Sequence, residues 1–193
     1  MMSSAKAEAE RKAAAQLPHG DIVALLLEQH ARIRGLFEQV TQAQGADKQH
    51  AFDELRALLA VHEAAEELVL RPVAKKTAGE KEAEARNAEE AEAAKVLKEL
   101  EGMDVASPEF ATAIAEFEQS VSDHAGHEET EEFPAIVDQC TAEQRQDMGK
   151  LLRKAEDLAP SHPHPTAAGK PAALALTGPF AAMMDKARDA MSH

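Results

Sequence analysis

At 193 residues with a formal net charge of −14, the chain can build one domain with a real core plus end segments, and its acidity disfavours nucleic-acid backbones and anionic membrane surfaces as partners. Trp and Tyr are absent and only six Phe occur, which argues against sandwiches and barrels, whose strands favour aromatic and β-branched residues, and leaves an all-α class. Cys140 is the only cysteine, so no internal disulfide framework or CxxC site exists; with no membrane-length apolar run and no secretory core near the N-terminus, a cytoplasmic location is expected.

Residues 1–17 read as an Ala/Lys/Glu tail, at most a frayed helix. Pro18, Gly20 and Asp21 mark a start, with Asp21 as the N-cap of a first helix running to about Gln44 through Leu26, Ile33, Leu36, Phe37 and Val40. Gly45 interrupts it, and a second helix follows from about Lys48 to Arg71, where Pro72 bends or ends it. The third helix covers about Glu80 to Glu101 and stops at Gly102; Ser107-Pro108 opens the fourth, which continues to about Gln139. Thr141 to Gln144 fits a capping box for a short fifth helix ending near Leu158.

Short connections favour antiparallel neighbours, so residues 18–158 are expected to form an up-down-up-down four-helix bundle with the fifth helix appended. Residues 159–193 form a separate segment: a Pro-rich stretch, then an amphipathic C-terminal helix carrying Phe180, Met183, Met184, Ala187 and Met191 on one stripe.

The histidines carry the chemistry. His62 and Glu66 form HxxxE on the second helix, and His124 and Glu128 form HxxxE on the fourth. Residues four apart lie about 40° apart around a helix, so each pair projects from one face. His62, Glu66 and Pro72 map onto His124, Glu128 and Pro134 by a shift of 62, an internal repeat of helix pairs. His30 lies on the core face of the first helix, in line with Ile33, Leu36, Phe37 and Val40, and adds a third inward imidazole. Imidazole with carboxylate suits a borderline transition metal, and carboxylates can bridge two ions. His19, His50, His162, His164 and His193, at helix starts, in exposed runs or in the tail, read as non-ligands.

The segments LLLEQHARIRGLF, VHEAAEELVLRPV and HAGHEETEEFPAI resemble the best-marked stretches of hemerythrin-like HHE cation-binding domains, over roughly residues 20–140, and the tail resembles that of a bacterial branch of the family. The resemblance implies a non-haem di-iron centre, two iron ions held by terminal His and bridging carboxylates, with His30, His62, Glu66, His124 and Glu128 in those roles. It also implies oxygen, nitric oxide or hydrogen peroxide as the small ligand, and leaves open catalase- or peroxidase-like turnover against an iron-handling or redox-sensing module.

One departure stands out. The family has a His early in the third helix, and this helix has none. Applying the apolar offsets after His30 to the third helix gives Ala93, Val96, Leu97 and Leu100, and sets Glu90 at the His30-equivalent position. Glu89, Glu92 and, on the fourth helix, His127 are the alternatives. A carboxylate in place of His makes the shell harder and more anionic, which favours ferric iron and peroxide chemistry over reversible oxygen carriage.

Overall fold

The computed structural model describes residues 2–158, with no strand among them. Eight α-helices follow one another: α1 (Met2–Ala14), α2 (Ile22–Gln42), α3 (Gly45–Ala65), α4 (Arg71–Thr77), α5 (Glu80–Glu101), α6 (Pro108–His127), α7 (Phe133–Gln139) and α8 (Ala142–Leu158). Wider π turns, Glu66–Leu70 and Glu128–Glu132, weld α3 to α4 and α6 to α7, so the bundle has four rods: α2, α3–α4, α5 and α6–α7. The Pro-rich segment and last helix expected over 159–193, with His162, His164 and His193, lie outside the described residues.

The helix starts are set by local chemistry. Asp21 Oδ1 accepts from the Val23 N–H at 3.0 Å, and Ser107 Oγ accepts from the Phe110 N–H at 3.1 Å, each satisfying a donor that the first turn leaves unpaired. At α8, Gln144 N–H donates to Thr141 Oγ1 at 3.2 Å while Thr141 N–H donates to Gln144 Oε1 at 2.8 Å, a reciprocal capping box. Gly79 precedes α5 with φ at 110°, which a side chain would resist, and so allows the sharp reversal from α4.

Two apolar layers set the direction of the rods. One holds Ile22, Leu26, Leu70, Ile136 and Leu152; the other holds Phe37, Leu55, Leu97, Leu100, Phe110 and Phe117. Helix α2 runs from the first layer to the second, while α3–α4 and α6–α7 run from the second to the first. Each of these fully buried side chains contributes roughly 1.5–3 kcal/mol by leaving water. Between the layers, every rod contributes a polar group: His30 from α2, His62 and Glu66 from α3–α4, Glu90 from α5, His124 and Glu128 from α6–α7.

The structure corrects the reading of the first residues. Instead of a tail, they form α1, packed along α2 with Ala7, Glu10 and Ala14 buried. Glu10 accepts from Arg34 Nε at 2.5 Å, which tethers the helix by a buried ion pair. Helix α8 closes the first layer, with Leu152 and Ala155 fully buried, and Arg145 Nε donates to Asp21 Oδ2 at 2.7 Å. No described helix is long and apolar enough to cross a membrane.

Candidate metal centre

The two HxxxE units are built alike. His62 Nε2 lies 3.4 Å from Glu66 Oε2, and His124 Nε2 lies 3.4 Å from Glu128 Oε1. Immediately after each unit the helix widens: Arg71 N–H donates to the Glu66 carbonyl and Phe133 N–H to the Glu128 carbonyl, five residues back. Pro72 and Pro134 explain why. Proline offers no N–H and its ring crowds the carbonyl four residues earlier, and a π turn absorbs that conflict without breaking the rod. The repeat seen in the sequence therefore includes two helical distortions at matching positions, each beginning at a carboxylate that faces the interior.

The three imidazoles are oriented from behind. Nδ1 of His30 faces Glu129 Oε1 at 2.9 Å, Nδ1 of His62 faces Gln29 Oε1 at 2.6 Å, and Nδ1 of His124 faces Glu89 Oε2 at 2.9 Å. An acceptor at each Nδ1 draws a proton there and leaves Nε2 as the atom directed at the carboxylates. The Gln29 amide is itself held by a hydrogen bond to Glu156, which turns its oxygen toward His62. The His30 ring also stacks on Phe133, with centroids 5.6 Å apart.

What these groups face is an excess of lone pairs. Both oxygens of Glu66, Oε2 of Glu90, Oε2 of Glu128 and Nε2 of His30 and His124 are buried without a hydrogen-bond partner. Buried polar atoms are nearly always paired, so unpaired acceptors converging at one place fit a cation. Two overlapping groups have ligand atoms within 4.8 Å of one another: His30, His62, Glu66 and Glu128, and Glu66, Glu90, His124 and Glu128. Glu66 and Glu128 belong to both. A small cavity of about 30 Å³ adjoins the cluster, lined by Ile33, Phe37, Leu59, Ala93 and Val121 together with His30, His62, Glu90 and His124. That is room for a ligand of water-like size, not for an organic substrate.

Residues 21–136 match the hemerythrin HHE cation-binding domain family. The chain belongs to this family. An uncharacterized hemerythrin-like protein of Schizosaccharomyces pombe is 31% identical over 136 residues, which is 69% of this chain and 67% of that protein. A crystal structure of an HHE cation-binding-domain protein from Mycobacterium kansasii superposes with a TM-score of 0.64, covering 86% of this chain and 98% of that one; at 21% identity this is a likeness of fold. A DNA nickase of Nostoc is 27% identical over 128 residues, 66% of this chain but only 36% of the nickase, so this chain spans about a third of that protein.

Within this HHE domain the structure gathers all six residues singled out from the sequence, and it separates the alternatives for the missing third-helix His. Glu90 is turned inward at 1% exposure. Glu89 instead braces His124 and pairs with Arg86 at 2.8 Å. Glu92 is exposed and pairs with Lys95 at 2.8 Å, and His127 stays near the rim, 3.3 Å from Glu89. His19 and His50 are exposed and apart from the cluster.

Sequence reasoning missed Arg71, Glu132, Gln29 and Glu129. Arg71 is 3% exposed and donates through Nη1 to both Glu132 oxygens at 2.7 and 2.6 Å, through Nη2 to Glu128 Oε1 at 3.1 Å, and to Glu90. An arginine closing the apolar run ELVLRP was the available signal.

The electrostatics of the layer follow from burial and from these neighbours. Burial, with Glu128 close by, pushes the Glu66 carboxyl well above its ordinary range. Burial also depresses His62, reinforced by the charge of His30, down to about 3. For Glu128 burial acts the other way, but His124, His30 and Arg71 outweigh it and hold the carboxyl well below the usual range. His62 thus presents a neutral imidazole and Glu128 a carboxylate, as metal ligation needs, whereas Glu66 and His124, both shifted upward, would each give up a proton to a metal.

Proposed function

We propose that this HHE protein is a non-haem di-iron protein that binds or reacts with a small oxidant, with peroxide chemistry favoured over reversible oxygen carriage. The observation that carries this reading is the convergence of unpartnered His Nε2 and carboxylate oxygens in a buried layer between two apolar plugs. In this reading His30 and His62 would hold one ion, Glu90 and His124 the other, and Glu66 and Glu128, common to both groups, would serve both. Bound iron would supply the redox equivalents and the open coordination position.

The protein's own residues do the rest. Gln29, Glu129 and Glu89 lock the imidazoles from behind, which raises their basicity and fixes their aim. Phe37, Ile33 and Leu59 line the small cavity, which leaves room for a diatomic or peroxide but not for a large molecule. Three carboxylates among six donors make a hard, oxygen-rich shell, which favours ferric over ferrous iron.

Hydrogen peroxide consumption by the iron-loaded protein tests the activity, measured against the same concentration of free iron and against His62→Ala. Faster loss of peroxide in the wild type alone supports turnover. Retained iron with no more peroxide loss than the controls overturns the peroxide reading and favours iron handling or sensing.

A further inference from the structure

The two halves of the repeat are not chemically equal. A shift of 62 carries Arg71 onto Phe133, and a shift of 60 carries His30 onto Glu90. In one half the imidazole of His30 stacks on the ring of Phe133. In the other half the corresponding carboxylate, Glu90, is paired with the corresponding guanidinium, Arg71. The two departures from symmetry therefore touch each other. The exchange continues one residue earlier, where Leu70 maps onto Glu132, the carboxylate that grips Nη1 of Arg71.

Arg71 divides the two metal positions. Its Nη2 donates to Glu90 and, at 3.1 Å, to Glu128 Oε1, the oxygen that lies 3.4 Å from His124 Nε2. The other oxygen of Glu128 lies 3.4 Å from His30 Nε2 and has no hydrogen-bond partner. Glu66 is likewise without a hydrogen-bond partner at either oxygen. The group formed by His30, His62, Glu66 and Glu128 is thus open to a cation as it stands. The group containing Glu90 and His124 already holds a positive charge, fixed to the chain and 3% exposed.

Resting on the di-iron reading above, we propose that Arg71 is a tethered counter-cation that competes with the second metal ion, so the centre loads in two unequal steps. The first ion enters at His30, His62, Glu66 and Glu128. The second binds at Glu90 and His124 only when the guanidinium releases Glu90 and Glu128. Glu132, bonded to Arg71 through both oxygens, holds the displaced guanidinium and keeps it from being left unpaired. Arg71 acts through the carboxylates it occupies; it is a positioning residue that sets how many ions the centre holds at a given metal concentration.

The test is anaerobic calorimetric titration of the full-length, metal-stripped protein with ferrous iron. The wild type is expected to bind in two steps separated by about tenfold or more in affinity, tenfold corresponding to about 1.4 kcal/mol. His124→Ala should remove the weaker step and leave the stronger one, whereas His62→Ala should reduce the stronger one. The double variant Arg71→Met/Glu132→Leu removes the competing charge and its partner together, and is expected to tighten the second step about tenfold while shifting the first by less than about threefold. Arg71→Lys keeps a charge but loses the fork that spans two carboxylates, and should fall between. Two equal or cooperative steps in the wild type overturn the proposal, as does a second step that weakens in the double variant. Should the double variant not fold, the wild-type and Arg71→Lys titrations decide alone. Absence of any binding step in the wild type would refute the metal reading itself, a different outcome from equal steps.

Discussion

Glu66→Gln should have opposite effects on stability with and without metal. Glu66 is fully buried, and neither carboxylate oxygen has a hydrogen-bond partner. An unsatisfied buried group of this kind costs about 1–3 kcal/mol, and more when charged. Gln keeps the shape, removes the ionisable carboxyl, and brings an N–H₂ that can donate toward His62 Nε2, which lies 3.4 Å from Glu66 Oε2. In the presence of a chelator the variant is expected to be more stable than wild type by about 1–3 kcal/mol. With iron at a thousandfold excess over Kd the order should reverse, because the wild type gains about 4.1 kcal/mol of binding free energy and the variant lacks a carboxylate proposed to hold the ions. Urea unfolding followed by circular dichroism at matched pH, with and without ferrous iron, measures both differences. If Glu66→Gln lowers stability by more than about 1 kcal/mol in chelator, and iron leaves the wild type unchanged, then Glu66 is a structural carboxylate and the reasoning fails.

Three further perturbations probe what holds and aims the centre. Asp21→Ala removes the α2 cap and leaves the buried Arg145 without its carboxylate, so urea unfolding should report a loss of about 3–5 kcal/mol. Gly149→Ala would normally favour a helix, but the added methyl would fall on the Gly20 carbonyl oxygen; thermal unfolding should report a net loss of about 1–3 kcal/mol. Glu89→Ala frees His124 Nδ1 and should weaken metal binding about 10- to 100-fold in a titration, whereas Glu92→Ala, on the solvent face, should leave it unchanged.

The helix starts at Asp21, Ser107 and Thr141 were legible because capping is a short-range affair of a few side-chain and backbone atoms. The grouping of His30, His62, Glu66, His124 and Glu128 was legible because helical spacing and the repeated Pro fix both face and register. Glu90 followed from the apolar offsets of α5, which bury Leu97 and Leu100 on its face. Arg71 and Glu132 were not legible: a lone Arg and a Glu in an acidic run look like solvated charges until tertiary packing closes over both. Helix α1 was missed for a related reason. Among its described side chains the buried ones are Ala7, Glu10 and Ala14, too weak an apolar signal, and Glu10 is held inside by Arg34 from a different helix. Pro72 announced a disturbance, but whether it would kink, end or widen the rod depended on tertiary packing, and α3 runs into α4 without a break.

Iron content and absorption, measured on one sample, decide whether the buried polar layer is a metal centre. The full-length protein is loaded anaerobically with ferrous iron, desalted, exposed to air and measured for iron per chain and for its near-ultraviolet and visible spectrum. Because Trp and Tyr are absent, absorption above the Phe bands reports the centre almost without background. Two irons per chain and new near-ultraviolet bands are expected, both lost in a His62→Ala/His124→Ala variant that still folds. A colourless wild-type protein that retains no iron after desalting, or a double variant that keeps the same iron and the same bands, would contradict a metal centre there.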